Sequence, residues 1–251
     1  MDKDGDVHYY THRFFFFSLP PHPDDAMTSV TSHSRYSRGE EIANSLTHGM
    51  GTLLAIVGMV VLLVFATLHG DTWHIVSCAI FGAALILLYL ASTLYHAIQH
   101  PGAKSVLRIL DHAAILVLIA GTYTPFTLVN LRGPWGWSLF GIIWGLAVLG
   151  ILIEVTRLRR YRAGLILLYV IMGWAVVAAT KPMLANVGRG GLWLLLAGGL
   201  AYTGGIIFYL WKRLPYNHAI WHLFVLAGST LHYFAILFYV VPVANATVYN
   251  G

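Results

Sequence analysis

Seven long apolar runs divide the chain, at about 45–68, 73–96, 107–129, 135–155, 164–183, 192–211 and 220–241. Each is close to the roughly 20 residues that an α-helix needs to cross a ~30 Å hydrocarbon core. The runs are continuous and lack the period-two alternation of a membrane β-strand, so helices are expected and a barrel is not. Turn formers punctuate them at Gly70-Asp71, Pro101-Gly102, Gly133-Pro134, Gly188-Arg189-Gly190-Gly191 and Pro215-Tyr216-Asn217. Links this short make neighbouring helices antiparallel within one bundle. Gly198-Gly199 and Gly204-Gly205 read as packing positions. No internal repeat or broken helix is visible, which argues against a transporter. The pattern predicts an all-α integral membrane protein, with a seven-helix transmembrane domain over residues 40–242 and a short external tail over 243–251.

Composition removes the soluble alternative. Of 251 residues, 58% are hydrophobic and 10% charged, and the mean hydropathy is +0.70. A soluble domain carries about 25% charged residues, so this chain has too little polar surface to face water. Residues 1–39 hold scattered Asp, Pro and His and one short aromatic run, Phe14 to Phe17. That run is too short for the apolar core of a signal peptide. The stretch is expected to be a disordered cytoplasmic extension, with Met27 an alternative start.

The formal charge of +5 is gathered into short clusters between the apolar runs. No extended basic face is interleaved with aromatics, so the partners expected are membrane lipids and not nucleic acid. Arg35, Arg38, Lys104, Arg108, Arg157, Arg159, Arg160, Arg162, Lys212 and Arg213 fall on the side of the N-terminus. Only Arg132, Lys181 and Arg189 fall on the other. The positive-inside rule then puts the N-terminus in the cytoplasm and, with seven spans, the C-terminus outside. Trp73, Trp135, Trp137, Trp193 and Trp211 stand near span ends, as interfacial anchors do.

Ionisable groups within apolar spans cost roughly 2.5–3.5 kcal/mol each on insertion scales, and here they gather at one end. Span one opens with Glu40, Glu41 and Asn44, then Thr47 and His48. Span two closes on Ser92 and His96. Span three carries Asp111 and His112 in its first turns, and span seven begins with Asn217, His218 and His222. The lone cysteine, Cys78, excludes a thiolate cluster, so any metal must take His, Asp or Glu. His218 and His222 share a helix face one turn apart. With His96 as the best-placed third, three imidazoles suit Zn²⁺ and leave a fourth position for water, as catalytic zinc sites do. Asp111 is the candidate to hold that water or take its proton. Ser92, four residues before His96, would support the site or bind a substrate carbonyl. His48 reads as a ligand or, in preference, as a neighbour of one, and Glu41, Asn44 and His112 as residues surrounding the ligands. His232 lies about 15 Å further along its helix than His222, too far for the same ion. Glu154, beside the Arg157–Arg162 cluster, reads as half of a surface ion pair, and His69, His74 and His100 read as solvated.

These marks resemble the hemolysin III family, the bacterial branch of the progestin and adipoQ receptor proteins, which are related to alkaline ceramidase-like membrane hydrolases. They are Glu41-Ile42-Ala43-Asn44 with Thr47-His48; Ser92-Thr93-Leu94-Tyr95-His96; Leu110-Asp111-His112 with Gly121-Thr122-Tyr123-Thr124-Pro125; and His218-Ala219-Ile220-Trp221-His222 with Gly228 and His232. The resemblance covers residues 36–242. It implies seven helices, a cytoplasmic N-terminus and residence in a bacterial plasma membrane. It also implies a zinc ion on His96, His218 and His222 with Asp111 beside its water. Two functions follow as expectations: a zinc-dependent hydrolase of lipid amides or esters serving membrane lipid homeostasis, or a non-enzymatic cytolysin or membrane sensor with structural zinc. No amphipathic helix able to insert from water is visible, which weighs against a secreted pore former.

Overall fold

A computed structural model describes residues 36–241; the expected N-terminal extension up to residue 35 and the tail after 242 lie outside the described residues. The described residues form eight α-helices: α1 Arg38–His69, α2 Thr72–Ala97, α3 Pro101–Pro125, α4 Pro134–Val155, α5 Arg162–Trp174, α6 Thr180–Asn186, α7 Arg189–Leu210 and α8 Asn217–Tyr239. Since α5 and α6 share one apolar stretch, they make seven candidate membrane spans. α1 packs on α2 and α8, α2 on α3, α3 on α4, and α7 on α8, whereas α5 touches α7 only sparingly.

Local chemistry sets the helix starts. Ser37 and Glu40 cap α1 reciprocally: Ser37 Oγ accepts the Glu40 amide at 3.3 Å, and the Glu40 carboxylate accepts the Ser37 amide at 2.8 Å. The helix therefore begins at Arg38, well before the apolar run at 45, and residues 38–39, assigned above to the extension, are its first turn. Asp71 caps α2 by accepting from Trp73 and His74, and Pro101 and Pro134 occupy the first turns of α3 and α4. His69 and His100 are exposed, as expected, whereas His74 is half-buried. His74 bonds Asp71 at 2.7 Å, and His100 Nδ1 accepts from the Ala103 amide. At the α7–α8 turn, Tyr216 adopts a left-handed conformation (φ 56°). Its amide donates to Glu40 Oε1 at 3.1 Å, which ties this turn to the start of α1.

The fifth span is broken, contrary to the continuous helix expected over 164–183. A 3₁₀ stretch, Ala175–Ala179, separates α5 from α6. Pro182 explains the break: it has no N–H for the Ala178 carbonyl and its ring crowds that group. Exposed peptide groups at membrane depth must be satisfied by the protein. Tyr123 of α3 does this, its hydroxyl accepting from the Val176 amide at 2.9 Å and donating to the Gly173 carbonyl at 3.0 Å. The third span has its own irregularity, a π-helical turn over Phe126–Asn130 directly after Pro125.

Glu154 is a second correction. It is 0% exposed, not part of the surface. It continues the inward stripe Leu139, Ile143, Ala147 and Gly150 of α4, and its Oε1 lies 2.9 Å from His112 Nδ1 and 3.5 Å from Arg162 Nη1. Close approach between α2 and α3 depends on Gly121, where a Cβ would come within 2.7 Å of Ala84 Cβ.

The patch over the broken span is testable. Tyr123→Phe removes one hydroxyl that serves two peptide groups and should cost about 1–3 kcal/mol. The thermal unfolding midpoint in detergent should fall, and an unchanged midpoint would remove Tyr123 from this role.

Candidate metal centre

The start of α1, the end of α2, the start of α3 and the start of α8 meet at one end of the bundle. α8 presents His218 and His222 on one face with ring centroids 4.5 Å apart, and α2 brings His96 to 5.0 Å and 5.3 Å from them. One ring nitrogen of each lies within 4.8 Å of the others, and all three residues are buried. This is the set that the sequence singled out as metal ligands.

Hydrogen bonding fixes which nitrogens are available. His96 Nδ1 lies 2.6 Å from Glu41 Oε2. An ionised carboxylate can only accept, so this nitrogen holds the proton and Nε2 keeps its lone pair. Thr47 Oγ1 donates to a backbone carbonyl of its own helix, Ala43 or Asn44, both at 2.9 Å. It therefore accepts from His222 Nδ1 at 3.1 Å, again leaving Nε2 as a lone pair. Those two Nε2 atoms and both nitrogens of His218 are buried without a hydrogen-bond partner among the described residues. An unpaired buried nitrogen costs roughly 1–3 kcal/mol. Three such residues facing one another, two with Nδ1 anchored, have the form of a metal site whose outer hydrogen bonds set each tautomer. The donor set fits zinc, and it fits other imidazole-binding divalent ions as well.

The surrounding residues divide into those that touch the cluster and those that do not. Glu41 also accepts from Lys104 Nζ at 2.7 Å, and Asn44 Nδ2 lies 3.4 Å from His96 Nδ1. His48 falls outside the converging set. It stacks on His222 at 3.5 Å and meets Tyr89 edge-on, and neither of its nitrogens has a partner among the described residues. Asp111 is buried beside Ser92, whose hydroxyl has no other partner among the described residues. His112 points about 100° away from Asp111 on the helix, as its position next to Asp111 in the chain implies, and lies against Glu154 and Arg162 within the bundle. His232 lies deeper in the bundle and bonds the Leu195 carbonyl through Nε2 at 3.1 Å.

A cavity of about 140 Å³ runs from His48 and Asp111 to His232. A further one of about 260 Å³ shares its Tyr123, Trp174 and His232 wall and continues along the broken span to Met183. Together they lead from His48 and Asp111, beside the histidine cluster, to the middle of the bundle through a largely apolar lining. Sequence reading missed the anchoring parts played by Lys104 and Thr47. It also missed Tyr36, whose ring lies 5.0 Å from His218 and 5.7 Å from His96. Lys104 lies in the first turn of α3 and Tyr36 just before α1, and only the folded packing shows that they face the site.

The arrangement has known relatives. The sequence profile of the family described as Haemolysin-III related matches residues 36–233. The chain is 50% identical to Hemolysin-3 of Bacillus cereus over 221 residues, 88% of this chain and 99% of that protein. It is 49% identical to the Hemolysin-3 homolog of Bacillus subtilis (strain 168) over 204 residues, 81% of this chain and 96% of that one. The Monocyte to macrophage differentiation factor of Homo sapiens is 31% identical over 205 residues, 78% of this chain and 83% of that one. On the family profile and these identities, the chain belongs to the haemolysin-III-related family of multi-pass membrane proteins.

Proposed function

We propose that the protein is a zinc-dependent hydrolase of lipid amide or ester bonds, acting in membrane lipid homeostasis in a bacterial plasma membrane with its N-terminus in the cytoplasm. The observation that carries this reading is the adjacency of Asp111 to both the histidine cluster and the apolar cavity. His96, His218 and His222 would hold the ion. Zinc bound there supplies a Lewis acid that polarises a carbonyl and makes water acidic near neutral pH.

The chain's own groups complete the chemistry. The apolar cavity takes the acyl chain and keeps bulk water from it. Ser92 offers a hydroxyl to the substrate carbonyl oxygen. Asp111 takes the proton of the attacking water and returns it to the departing amine or alcohol, so water and an amide or ester become a carboxylic acid and an amine or alcohol. Glu41 and Thr47 keep the ligand lone pairs directed inward. The competing reading is a non-enzymatic cytolysin or membrane sensor in which zinc pins α2 to α8. It is favoured by the names of the two Bacillus relatives, and single-channel recording in defined bilayers tests it.

Three outcomes are expected. Purified protein should carry about one zinc per chain by elemental analysis, and His222→Ala should lose it. Glu41→Ala should weaken zinc binding roughly 10–100-fold in a chelator competition; equal affinity would detach Glu41 from the site. Asp111→Asn should keep its zinc yet lower kcat by about 10²–10⁴ against a panel of acyl amides and esters followed by mass spectrometry. Wild-type protein with full zinc and no turnover across that panel, beside an active control hydrolase, would end the hydrolase reading. For orientation, Arg160→Cys should react with an impermeant maleimide only from the cytoplasmic side and Arg189→Cys only from outside. Buried Cys78 keeps the background low, and the reverse pattern would invert the topology.

A further inference from the structure

Asp111 also faces a second, smaller space. A cavity of about 50 Å³ opens at the same end of the bundle between α3, α5, α7 and α8, bounded by Asp111, His112, Arg162, Tyr169, Tyr209 and His218. Asp111 and Tyr169 line both this cavity and the larger apolar one. Asp111 thus stands between a long apolar chamber and a short one with a charged wall, which His218 of the cluster also lines. A substrate cleaved at the cluster has two halves, and the two chambers differ as those halves do.

The charged wall is Arg162, the first residue of α5. Its side chain is 39% exposed and approaches Glu154 only through Nη1 at 3.5 Å; the same nitrogen lies 2.8 Å from His112 Nδ1. Nη2 and Nε have no partner among the described residues, and they are the fork that binds phosphate or carboxylate in a bidentate way. α5 starts here without a side-chain cap, so its amide dipole adds positive potential at the same spot. Arg162, Leu165, Ile166 and Tyr169 stand on one face of α5, and all four line the cavity. Lys212 lies over the Tyr209 ring, its Nζ 4.1 Å from the centroid, which adds a cation at the rim. Glu154 is buried against His112 and does not line the cavity; among the described residues, Asp111 is the one acid that does. An ion on the histidine cluster would add its charge to the His218 wall.

We propose that this small cavity is an anion subsite, in which Arg162 binds the phosphate or carboxylate group on the polar half of the lipid whose acyl chain occupies the larger cavity. The inference rests on the lipid-binding part of the reading above and not on turnover. Arg162 is a specificity residue, and the volume limits the subsite to a compact group.

The test is binding to full-length, zinc-loaded protein in nanodiscs of neutral lipid, by calorimetry. The probes are dodecyl phosphate, dodecanol as its uncharged counterpart, and inorganic phosphate. Wild type should prefer dodecyl phosphate over dodecanol by at least about tenfold, or 1.4 kcal/mol. Arg162→Gln should abolish the preference, and Arg162→Lys should keep part of it. Because Arg162→Gln strands Glu154, the double variant Arg162→Gln/Glu154→Gln is measured alongside and should behave like the single one. Displacement of the amphiphile by inorganic phosphate identifies a site that reads the free anion; failure to displace it identifies a lipid headgroup. Equal binding of the two amphiphiles to wild type, or a preference that survives in the double variant, overturns the proposal. A protein that hydrolyses lipids without this preference loses only the subsite, and one with the preference but no turnover loses only the hydrolase.

Discussion

One short chain of charges holds the polar end together. Lys104 of α3 donates to Glu41 of α1, and the other oxygen of Glu41 anchors His96 of α2. Three helices meet through a single carboxylate in a region of low dielectric. Removing one member of a buried pair leaves the other uncompensated, which typically costs about 3–5 kcal/mol, so each residue in the chain constrains the other two. Glu40, the neighbour of Glu41, adds the start of α8 by accepting the Tyr216 amide, and Thr47 adds His222. The geometry of the histidine cluster follows from these contacts, because imidazoles on helices free to slide would not converge.

The candidate site was largely readable in the sequence, and the reason is physical. Polar side chains in an apolar span are costly enough to be rare, so His96, Asp111, His218 and His222 stand out against their neighbours, and helical spacing assigns the last two to one face. The family resemblance added the roles expected of them. What escaped were residues whose surroundings come from distant chain. Glu154 lies beside a basic cluster in sequence and reads as a surface acid, yet the stripe through Ile143, Ala147 and Gly150 turns it inward. A count of inward positions on α4 would have placed it correctly. Lys104 and Tyr36 carry no such signal.

The fifth span shows the opposite failure. Its hydropathy is that of an ordinary membrane helix, and Pro182 near its end reads as harmless in a span that tolerates proline. Whether such a break is tolerated depends on a partner for the freed peptide groups, and that partner, Tyr123, is over fifty residues earlier in the chain. Hydropathy reports the cost of moving side chains into lipid and says little about where backbone hydrogen bonds close. The same break leaves room beside α7, so the irregularity and the cavities along it have one origin.

That break also determines where the fold yields mechanically. The four helices around the histidines are cross-linked by charged and polar contacts, whereas residues 175–179 of span five, though Ala179 packs in the core, are hydrogen-bonded to another helix, among the described residues, through the Tyr123 hydroxyl alone. A bilayer that thins or thickens loads every helix that crosses it, at a cost of fractions of a kcal/mol per ångström of mismatch. In this protein the 3₁₀ stretch at residues 175–179, with its regular helical ladder interrupted, is where such a load is most readily absorbed. The seam forms a wall of the apolar cavities, while the cross-linked end carries the candidate ligands. Membrane thickness therefore acts on the volume of these cavities before it acts on the spacing of the imidazoles.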